Sequence, residues 1–205
     1  MTLTLALDTA TRRTGISLAT EGGVIGEYYE EGATAHGEAL SRLASQLLQG
    51  IDRSEITSVA VGIGPGPFTG LRVGISFAQS FAFALGVPLI SVCTLDVIAA
   101  EVSCNQEFAI ATDARRKEVY WARYSAAGKR LGEVRVIKPS ELTDEERWLP
   151  TAGDAVEIYG ELFPFLLEPL FPNMGLLAAR AAEFSLADHA PMYMRRPDAT
   201  PPVLP

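Results

Sequence analysis

The sequence has few of the residues from which metal sites and disulfide frameworks are built. Only two of its 205 residues are cysteine and only two are histidine. Cys93 and Cys104 have neither metal-ligand spacing nor the partners of a disulfide framework, which favours a reducing compartment. His36 and His189 lie too far apart to form a local metal pair or a catalytic dyad. We therefore expect no metal held by this chain.

Positive charge is also scarce, with 17 Lys and Arg against 25 Asp and Glu and a net charge of -8. Because phosphate binding needs a clustered basic surface, this composition argues against a broad nucleic-acid footprint. Contact with nucleic acid through a basic partner protein stays open. The first ten residues, MTLTLALDTA, contain no basic leader, so we expect a cytoplasmic protein without a signal peptide. Polar and helix-breaking residues interrupt the apolar stretch 77–95, so no membrane span is expected.

One stretch, residues 58–86, has the pattern of a strand, a glycine-rich turn and a helix. Apolar residues 59–61 predict a buried strand, and three glycines and two prolines follow within residues 62–67. Pro67 near the first turn and Gly86 just past the end then delimit a helix over 68–85. This arrangement can direct free backbone N–H groups at an anion.

The predicted helix 68–85 has apolar residues on nearly every side. Small residues recur every four positions to form a column, namely Gly70, Gly74, Ala78 and Ala82. A helix of this kind is covered on both sides, by its own sheet and by a second domain or chain.

The order of predicted elements indicates an α/β protein. The first half reads β-β-β-α-β-α-β-α, with strands at 2–7, 14–20, 24–30, 59–61 and 88–93 and helices at 37–49, 68–85 and 95–102. The antiparallel start and the later alternation require a partly parallel sheet. We divide the chain into an N-terminal subdomain, 1–102, a smaller C-terminal subdomain, 103–196, and a proline-rich tail, 197–205.

Two turns are candidates for anion contact. Asp8, Thr9 and Thr11 follow the first strand, where an acid and hydroxyls could meet Mg²⁺ and phosphate. The alternative is that these side chains satisfy backbone groups of the turn. Gly64 and Gly66 could cradle a phosphate, but the loop has no Lys-Ser/Thr pair and its prolines remove two donors. A purely conformational turn is an equal alternative there.

A third turn, residues 113–118, is rich in charge and joins two predicted strands. Asp113, Arg115, Arg116 and Glu118 are its charged members. It reads equally well as a solvated hairpin and as an interaction surface.

Four motifs together resemble the TsaB (YeaZ) family. They are L-A-L-D-T-A-T at 5–11, G-P-G-P-F-T-G-L-R-V-G at 64–74, D-A-R-R-K-E-V-Y-W-A at 113–122 and M-Y-M-R-R at 192–196. This family, also labelled glycoprotease or M22 peptidase, belongs to the actin-like ATPase superfamily. The resemblance implies an actin-like (ASKHA, RNase H-like) fold of two related subdomains, each with a mixed sheet flanked by helices.

The resemblance also implies a non-catalytic subunit of the bacterial complex that forms N6-threonylcarbamoyladenosine at position 37 of tRNAs reading ANN codons. Its partners would be the catalytic paralogue TsaD and, through the complex, the ATPase TsaE, with tRNA contacted indirectly. Metal and nucleotide would lie on those subunits. The paralogue's H-x-x-x-H metal pair corresponds here to Thr94 and Ile98, so no peptidase chemistry is expected. Pro67 replaces the family's serine, which removes a hydroxyl and an N–H.

In that family the subunits pair through the first two helices, here 37–49 and 68–85, and a homodimer forms when the partner is absent. The predicted interface comprises His36, Leu40, Leu43, Leu47, Gly70, Leu71, Gly74, Ile75, Phe77 and Ala78. Within it the column of small residues on helix 68–85 would let a partner helix approach closely, so a large side chain in place of Gly74 should block pairing and leave the monomer folded. Two other functions stay open. One is an autonomous ATPase or kinase with Mg-nucleotide at Asp8, Thr11 and Gly64–Gly66, and the other is a dinucleotide-binding enzyme.

Overall fold

A computed structural model describes residues 2–32 and 35–195, which form two mixed β-sheets flanked by helices. The predicted tail at 197–205 lies outside the described residues. The expected α/β architecture, with two mixed sheets flanked by helices, is confirmed.

The first sheet has the strand order β3-β2-β1-β4-β5. β1 pairs antiparallel with β2 and parallel with β4, as the predicted antiparallel start and later alternation require. The elements of this half are β1 (Leu3–Asp8), β2 (Arg13–Thr20), β3 (Gly23–Glu31), α1 (His36–Leu47), β4 (Ser58–Gly62), α2 (Phe68–Leu85), β5 (Leu89–Val92) and α3 (Thr94–Ala99). α2 has the predicted bounds and ends at Gly86, which adopts the left-handed conformation usual for this position.

The second sheet repeats the order of the first without its last strand. Its order is β8-β7-β6-β9, in which β6 pairs antiparallel with β7 and parallel with β9. The remaining elements are β6 (Phe108–Asp113), β7 (Val119–Tyr124), β8 (Arg130–Ile137), α4 (Asp144–Arg147), β9 (Thr151–Ala152), α5 (Ala155–Ile158) and α6 (Met174–Arg180). Four strands of each sheet therefore follow the same order, and the division into two related subdomains stays a prediction.

Successive side chains along each strand of the first sheet point to opposite faces, and both faces are buried. Leu5 and Leu7 face one way and pack under α1 and α2, against residues such as Leu40 and Leu71. Ala6 and the other alanines of the opposite face leave room for α6, whose residues include Met174, Leu177 and Ala178. α6 thus packs on the first sheet although it follows the second in sequence.

Helix α3 lies between the two sheets and joins their cores. Leu95 and Ile98 pack with Phe108 and Tyr124 of the second sheet, whereas Val97 packs with the alanine face of the first. The other face of the second sheet is covered by α5 and by Phe163. Helix α3 therefore contributes side chains to the cores of both sheets.

The column of small residues on α2 faces this chain's own first strand, so the expectation that it admits a partner helix is wrong. A Cβ added to Gly70 would collide with the carbonyl oxygen of Thr9, and one added to Gly74 would collide with Thr9 Oγ1. Thr9 Oγ1 also donates a hydrogen bond to the Gly70 carbonyl at 2.7 Å. The glycines let the helix lie directly on the turn after β1. A tryptophan at Gly74 would therefore disrupt the monomer.

Replacement of Gly74 by alanine tests this contact. We expect Gly74→Ala to lower the free energy of unfolding by about 1–3 kcal/mol, the usual cost of overpacking, because Thr9 must move. Gly37→Ala in α1 is the control, since its added Cβ would meet only Val73 at an ordinary 3.9 Å. The measurement is urea unfolding followed by circular dichroism. Because alanine favours a helix over glycine by about 1 kcal/mol, the two variants are compared with each other, and a Gly74→Ala variant as stable as the Gly37→Ala variant would contradict the close approach.

Candidate functional site

The carboxyl ends of β1 and β4 face the turn between β6 and β7 across a cleft. Because parallel strands of an open sheet end at the same edge, the first turn and the glycine-rich loop come together there. Gly66 lies so close to the first turn that an added Cβ would be 2.8 Å from Ala10 Cα. The structure therefore unites two of the three candidate turns and places the third opposite them.

Asp8 is buried and its carboxylate is engaged within the chain. Oδ1 accepts a hydrogen bond from the Ala10 backbone N–H at 2.6 Å, and Oδ2 accepts one from the Thr94 hydroxyl at 2.7 Å. Burial raises the pKa of Asp8 from 3.8 to about 6 despite these donors. The carboxylate thus joins the end of β1 to the start of α3.

Thr9 and Thr11 have internal partners too. Thr9 binds the Gly70 carbonyl, and Thr11 Oγ1 contacts both the backbone N–H and the carbonyl of Arg13 at 3.2 Å. Gly64 accepts a hydrogen bond from the Thr94 N–H at 2.8 Å. These contacts match the alternative in which the residues satisfy backbone groups of their turns. A nucleotide contact at Asp8, Thr9, Thr11, Gly64 or Gly66 stays a prediction.

The turn between β6 and β7 has an uncommon backbone. Arg115, Arg116 and Lys117 have φ values of 60°, 57° and 62°, a left-handed conformation that side chains with a Cβ seldom adopt. Its base is fixed by Asp113 Oδ1, which accepts the Arg115 N–H at 2.9 Å, and by Asp154 Oδ1, which accepts the Asp113 N–H at 3.0 Å. Strain of this kind is concentrated at functional sites.

The same turn approaches the start of α1. His36 Nδ1 lies 2.8 Å from the hydroxyl of Thr14, and burial together with the Arg115 charge lowers the pKa of His36. Neutral His36 is therefore favoured in the folded protein. His36 therefore lies where α1, β2 and the β6–β7 turn meet. The sequence predicted His36 as an interface residue and did not indicate this position.

The segment 191–195 crosses the cleft and contacts both subdomains. The sequence motif at 192–196 did not predict these contacts. The Met192 N–H donates to the Ile63 carbonyl at 2.8 Å. Tyr193 packs on Phe68 with ring centroids 4.7 Å apart and accepts a hydrogen bond from Arg72 Nε at 3.1 Å. Arg195 Nη1 donates to the Ala114 carbonyl at 2.9 Å, and its guanidinium also pairs with Glu118.

A cavity of about 390 Å³ lies beneath this segment. We call it the arginine cavity, because every charged side chain among the described residues that line it is an arginine. The loop before α2, the β6–β7 turn and segment 191–195 form its walls. Its main side chains are Arg115, Arg116, Arg195, Phe68, Tyr120 and Tyr193.

Most residues of the predicted partner interface are buried in this chain's own core. They are Leu40, Leu43 and Leu47 of α1 and Gly70, Leu71, Gly74, Ile75 and Ala78 of α2. They support the helix pair on the sheet, so a partner could reach only His36 and Phe77, which are half-buried. Interface contact at those two residues stays a prediction.

Phe77 belongs to a half-buried row that runs along α2 at intervals of four residues. This row, the α2 stripe, consists of Val73, Phe77, Phe81 and Leu85. Phe83, 89% exposed, lies on the outer side of the helix. By length and composition alone α2 could also cross a membrane, but its other face is packed on the first sheet.

The positions corresponding to the paralogue's metal pair have structural roles. Thr94 is hydrogen-bonded to Asp8, and Ile98 is fully buried in the core between the sheets. Within residues 2–32 and 35–195, no group of three or more His, Cys, Asp or Glu side chains could hold a metal ion.

Known proteins resemble this chain in both sequence and fold. Residues 11–162 match the family model described as TsaD, tRNA N6-adenosine threonylcarbamoyltransferase. An uncharacterized protein of Mycobacterium leprae is 37% identical over 98% of this chain, which spans 57% of that protein. The Escherichia coli tRNA threonylcarbamoyladenosine biosynthesis protein TsaB is 34% identical over 58% of this chain and 54% of its own length. The structure of YeaZ from Pseudomonas aeruginosa superposes with a TM-score of 0.75 and 30% identity, covering 94% of this chain and all of that one.

The raised pKa of Asp8 gives the fold a pH dependence. Because the folded pKa of about 6 exceeds the ordinary 3.8, the folded state binds this proton more tightly. The stabilising contribution of Asp8 should therefore be complete below a pH of about 4 and be lost as the pH rises through about 6, a decrease on the order of 2–3 kcal/mol. Asp154, whose pKa is also raised to about 6, acts in the same direction.

Asp8→Asn should make this fall in stability smaller, as measured by urea unfolding at a series of pH values. Asp52→Asn is the control, because hydrogen bonds from Ser54 lower the pKa of Asp52. Removal of the Asp52 carboxyl should leave the decrease in stability with rising pH unchanged or make it steeper. An unchanged pH profile in the Asp8→Asn variant would show that this carboxyl titrates normally.

Proposed function

This chain belongs to the TsaB (YeaZ) family, and from that membership we propose that it acts in the formation of N6-threonylcarbamoyladenosine at position 37 of tRNAs reading ANN codons. In this proposal it is a cytoplasmic, non-catalytic subunit that docks the catalytic paralogue TsaD. The ATPase TsaE joins through the complex, and tRNA is contacted indirectly. A homodimer forms in the absence of the partner.

The observation that carries the docking role is the α2 stripe. Four apolar side chains in a row stay half-exposed on a helix whose other face is already packed. A stable interface needs about 800 Å² per partner, so the stripe would be its centre and the neighbouring surfaces of α1 and α2 its rim. Small side chains beside the stripe, Ser76 and Ser80, leave room for a partner helix.

The non-catalytic role is supported by what occupies the metal position of the paralogue. Thr94 binds Asp8 and Ile98 packs in the core, so both side chains are committed to the fold. The main carboxylate of the cleft, Asp8, is 1% exposed and cannot meet a substrate without unpacking. The chemistry would then reside on the partner.

Reconstituted tRNA modification tests the function as a whole. Purified TsaD, TsaE, tRNA and the threonylcarbamoyl donor would be incubated with and without this chain, and the modified nucleoside measured by mass spectrometry. We expect product only when the chain is present. Equal product without the chain would show that it is dispensable and reject the scaffold role. Turnover of ATP by the chain alone would reject the scaffold role in favour of an autonomous ATPase.

Ser80→Arg tests the docking surface. Ser80 is exposed three residues after Phe77, so an arginine there would cover the α2 stripe without entering the core. We expect at least about a tenfold loss of affinity for TsaD in calorimetry, the effect of an unpaired charge at an interface centre. Gln79→Arg is the control, because it is also exposed but two residues from Phe77 and on another side of the helix. Equal binding by both variants would place the interface elsewhere.

A further inference from the structure

The second sheet continues beyond β9 with a short extended segment, residues 165–167, which we call the open edge. The Thr151 N–H donates to the Phe165 carbonyl and the Leu167 N–H donates to the Thr151 carbonyl, both at 2.8 Å, as in a parallel ladder. The intervening Leu166 therefore directs its own N–H and C=O away from β9. Within residues 2–32 and 35–195, nothing pairs with these two groups.

The first sheet has its corresponding edge covered by the chain itself. There β5 lies beside β4, and the Leu186 N–H donates to the Ser91 carbonyl of β5 at 2.8 Å. His189 Nδ1 also lies 2.8 Å from the Ser91 hydroxyl. An uncovered sheet edge, in contrast, is a template for a strand of another chain. The open edge of the second sheet is therefore a place where a strand can be added.

The two faces beside the open edge carry different side chains, because successive residues of an extended segment point to opposite faces. On one face the rings of Phe165 and Trp148 have centroids 5.6 Å apart, and these side chains are 48% and 62% exposed. On the other face Leu166, 57% exposed, lines a groove of about 210 Å³ together with Glu157 and Glu168. One face is thus aromatic, and the other combines an apolar floor with carboxylates.

The part of the chain that surrounds the open edge is strongly acidic. Residues 139–172 contain eight Asp and Glu and a single Arg. This excess of negative charge repels nucleic acid and anionic lipid headgroups, whereas it attracts Lys and Arg side chains. Charge complementarity therefore favours a basic protein segment as the occupant.

We propose that the open edge docks an extended segment of another protein in which apolar and basic residues alternate. The segment adds a strand beside residues 165–167 and pairs with the Leu166 N–H and C=O. Its apolar side chains cover Trp148 and Phe165, and its basic side chains lie along the groove and meet Glu157 and Glu168. This site shares no residue with the α2 stripe, so it goes beyond the proposed docking of TsaD.

Calorimetric titration of the purified chain with capped synthetic peptides tests the proposal. The probe is Val-Lys-Val-Lys-Val-Lys-Val-Lys. Two matched peptides serve as controls: Val-Glu-Val-Glu-Val-Glu-Val-Glu reverses the charge, and Val-Val-Lys-Lys-Val-Val-Lys-Lys keeps the composition without the alternation. We expect both controls to bind at least about tenfold more weakly than the probe.

Three outcomes of this titration would overturn the proposal. Absence of probe binding would show that the edge accepts no basic strand, and equal binding of either control peptide would remove the role of charge or of alternation. Binding of the chain to phosphatidylcholine vesicles in place of the probe would assign the exposed apolar side chains to a lipid surface.

Two pairs of variants locate the site. Phe165→Ser removes a ring beside the open edge, and Phe83→Ser, its control, removes an exposed ring from α2. Glu168→Gln removes a carboxylate of the groove, and Glu161→Gln, its control, removes an exposed carboxylate that does not line it. Probe binding should weaken at least about tenfold in Phe165→Ser and about threefold in Glu168→Gln, and stay unchanged in both controls. Equal affinities within either pair would place the peptide elsewhere and refute the assignment.

Discussion

The structure depends on one close approach, between the turn after β1 and the first turns of α2. Glycines at 66, 70 and 74 let the backbone of the loop and helix lie against Ala10 and Thr9, where a Cβ would collide. The hydrogen bond from Thr9 to the Gly70 carbonyl fixes the distance. This contact sets the rotation of α2, so that its column of small residues faces the sheet and its stripe faces outward. The exposure of the stripe, on which the proposed docking surface rests, is therefore a consequence of the packing inside the subdomain.

The same approach determines the shape of the arginine cavity. With α2 held against the first turn, Phe68 and Arg72 at its start lie at the edge of the cleft, within reach of Tyr193. Segment 191–195 then connects the loop before α2 with the β6–β7 turn. Met192 packs against the cores of both subdomains, which gives the segment an apolar anchor in addition to its polar contacts. One wall of the cavity thus comes from each subdomain and the third from segment 191–195.

The sequence predicted those features that depend on local chemistry. Pro67 and Gly86 delimit α2, and the alternation of strands and helices predicts the mixed sheets, because caps and periodicity act over a few residues. The direction of the column on α2 could not be predicted, since a helix with small residues on one side and large ones elsewhere fits a sheet or a partner equally well. The return of α6 to the first sheet was also missed, because it depends on alanines at positions such as Ala6 and Ala60 that are far apart in sequence.

The two subdomains share a strand order, yet their first turns have opposite properties. After β1 the short residues Asp8 to Thr11 are all buried, with side-chain partners inside the chain. After β6 the corresponding positions carry Arg115, Arg116 and Lys117, which are too long to bury and stay exposed on a left-handed backbone. The first turn could therefore become a packing contact for α2, whereas the second had to remain at the surface. Side-chain length at these positions therefore explains why the first turn is buried and the second is exposed.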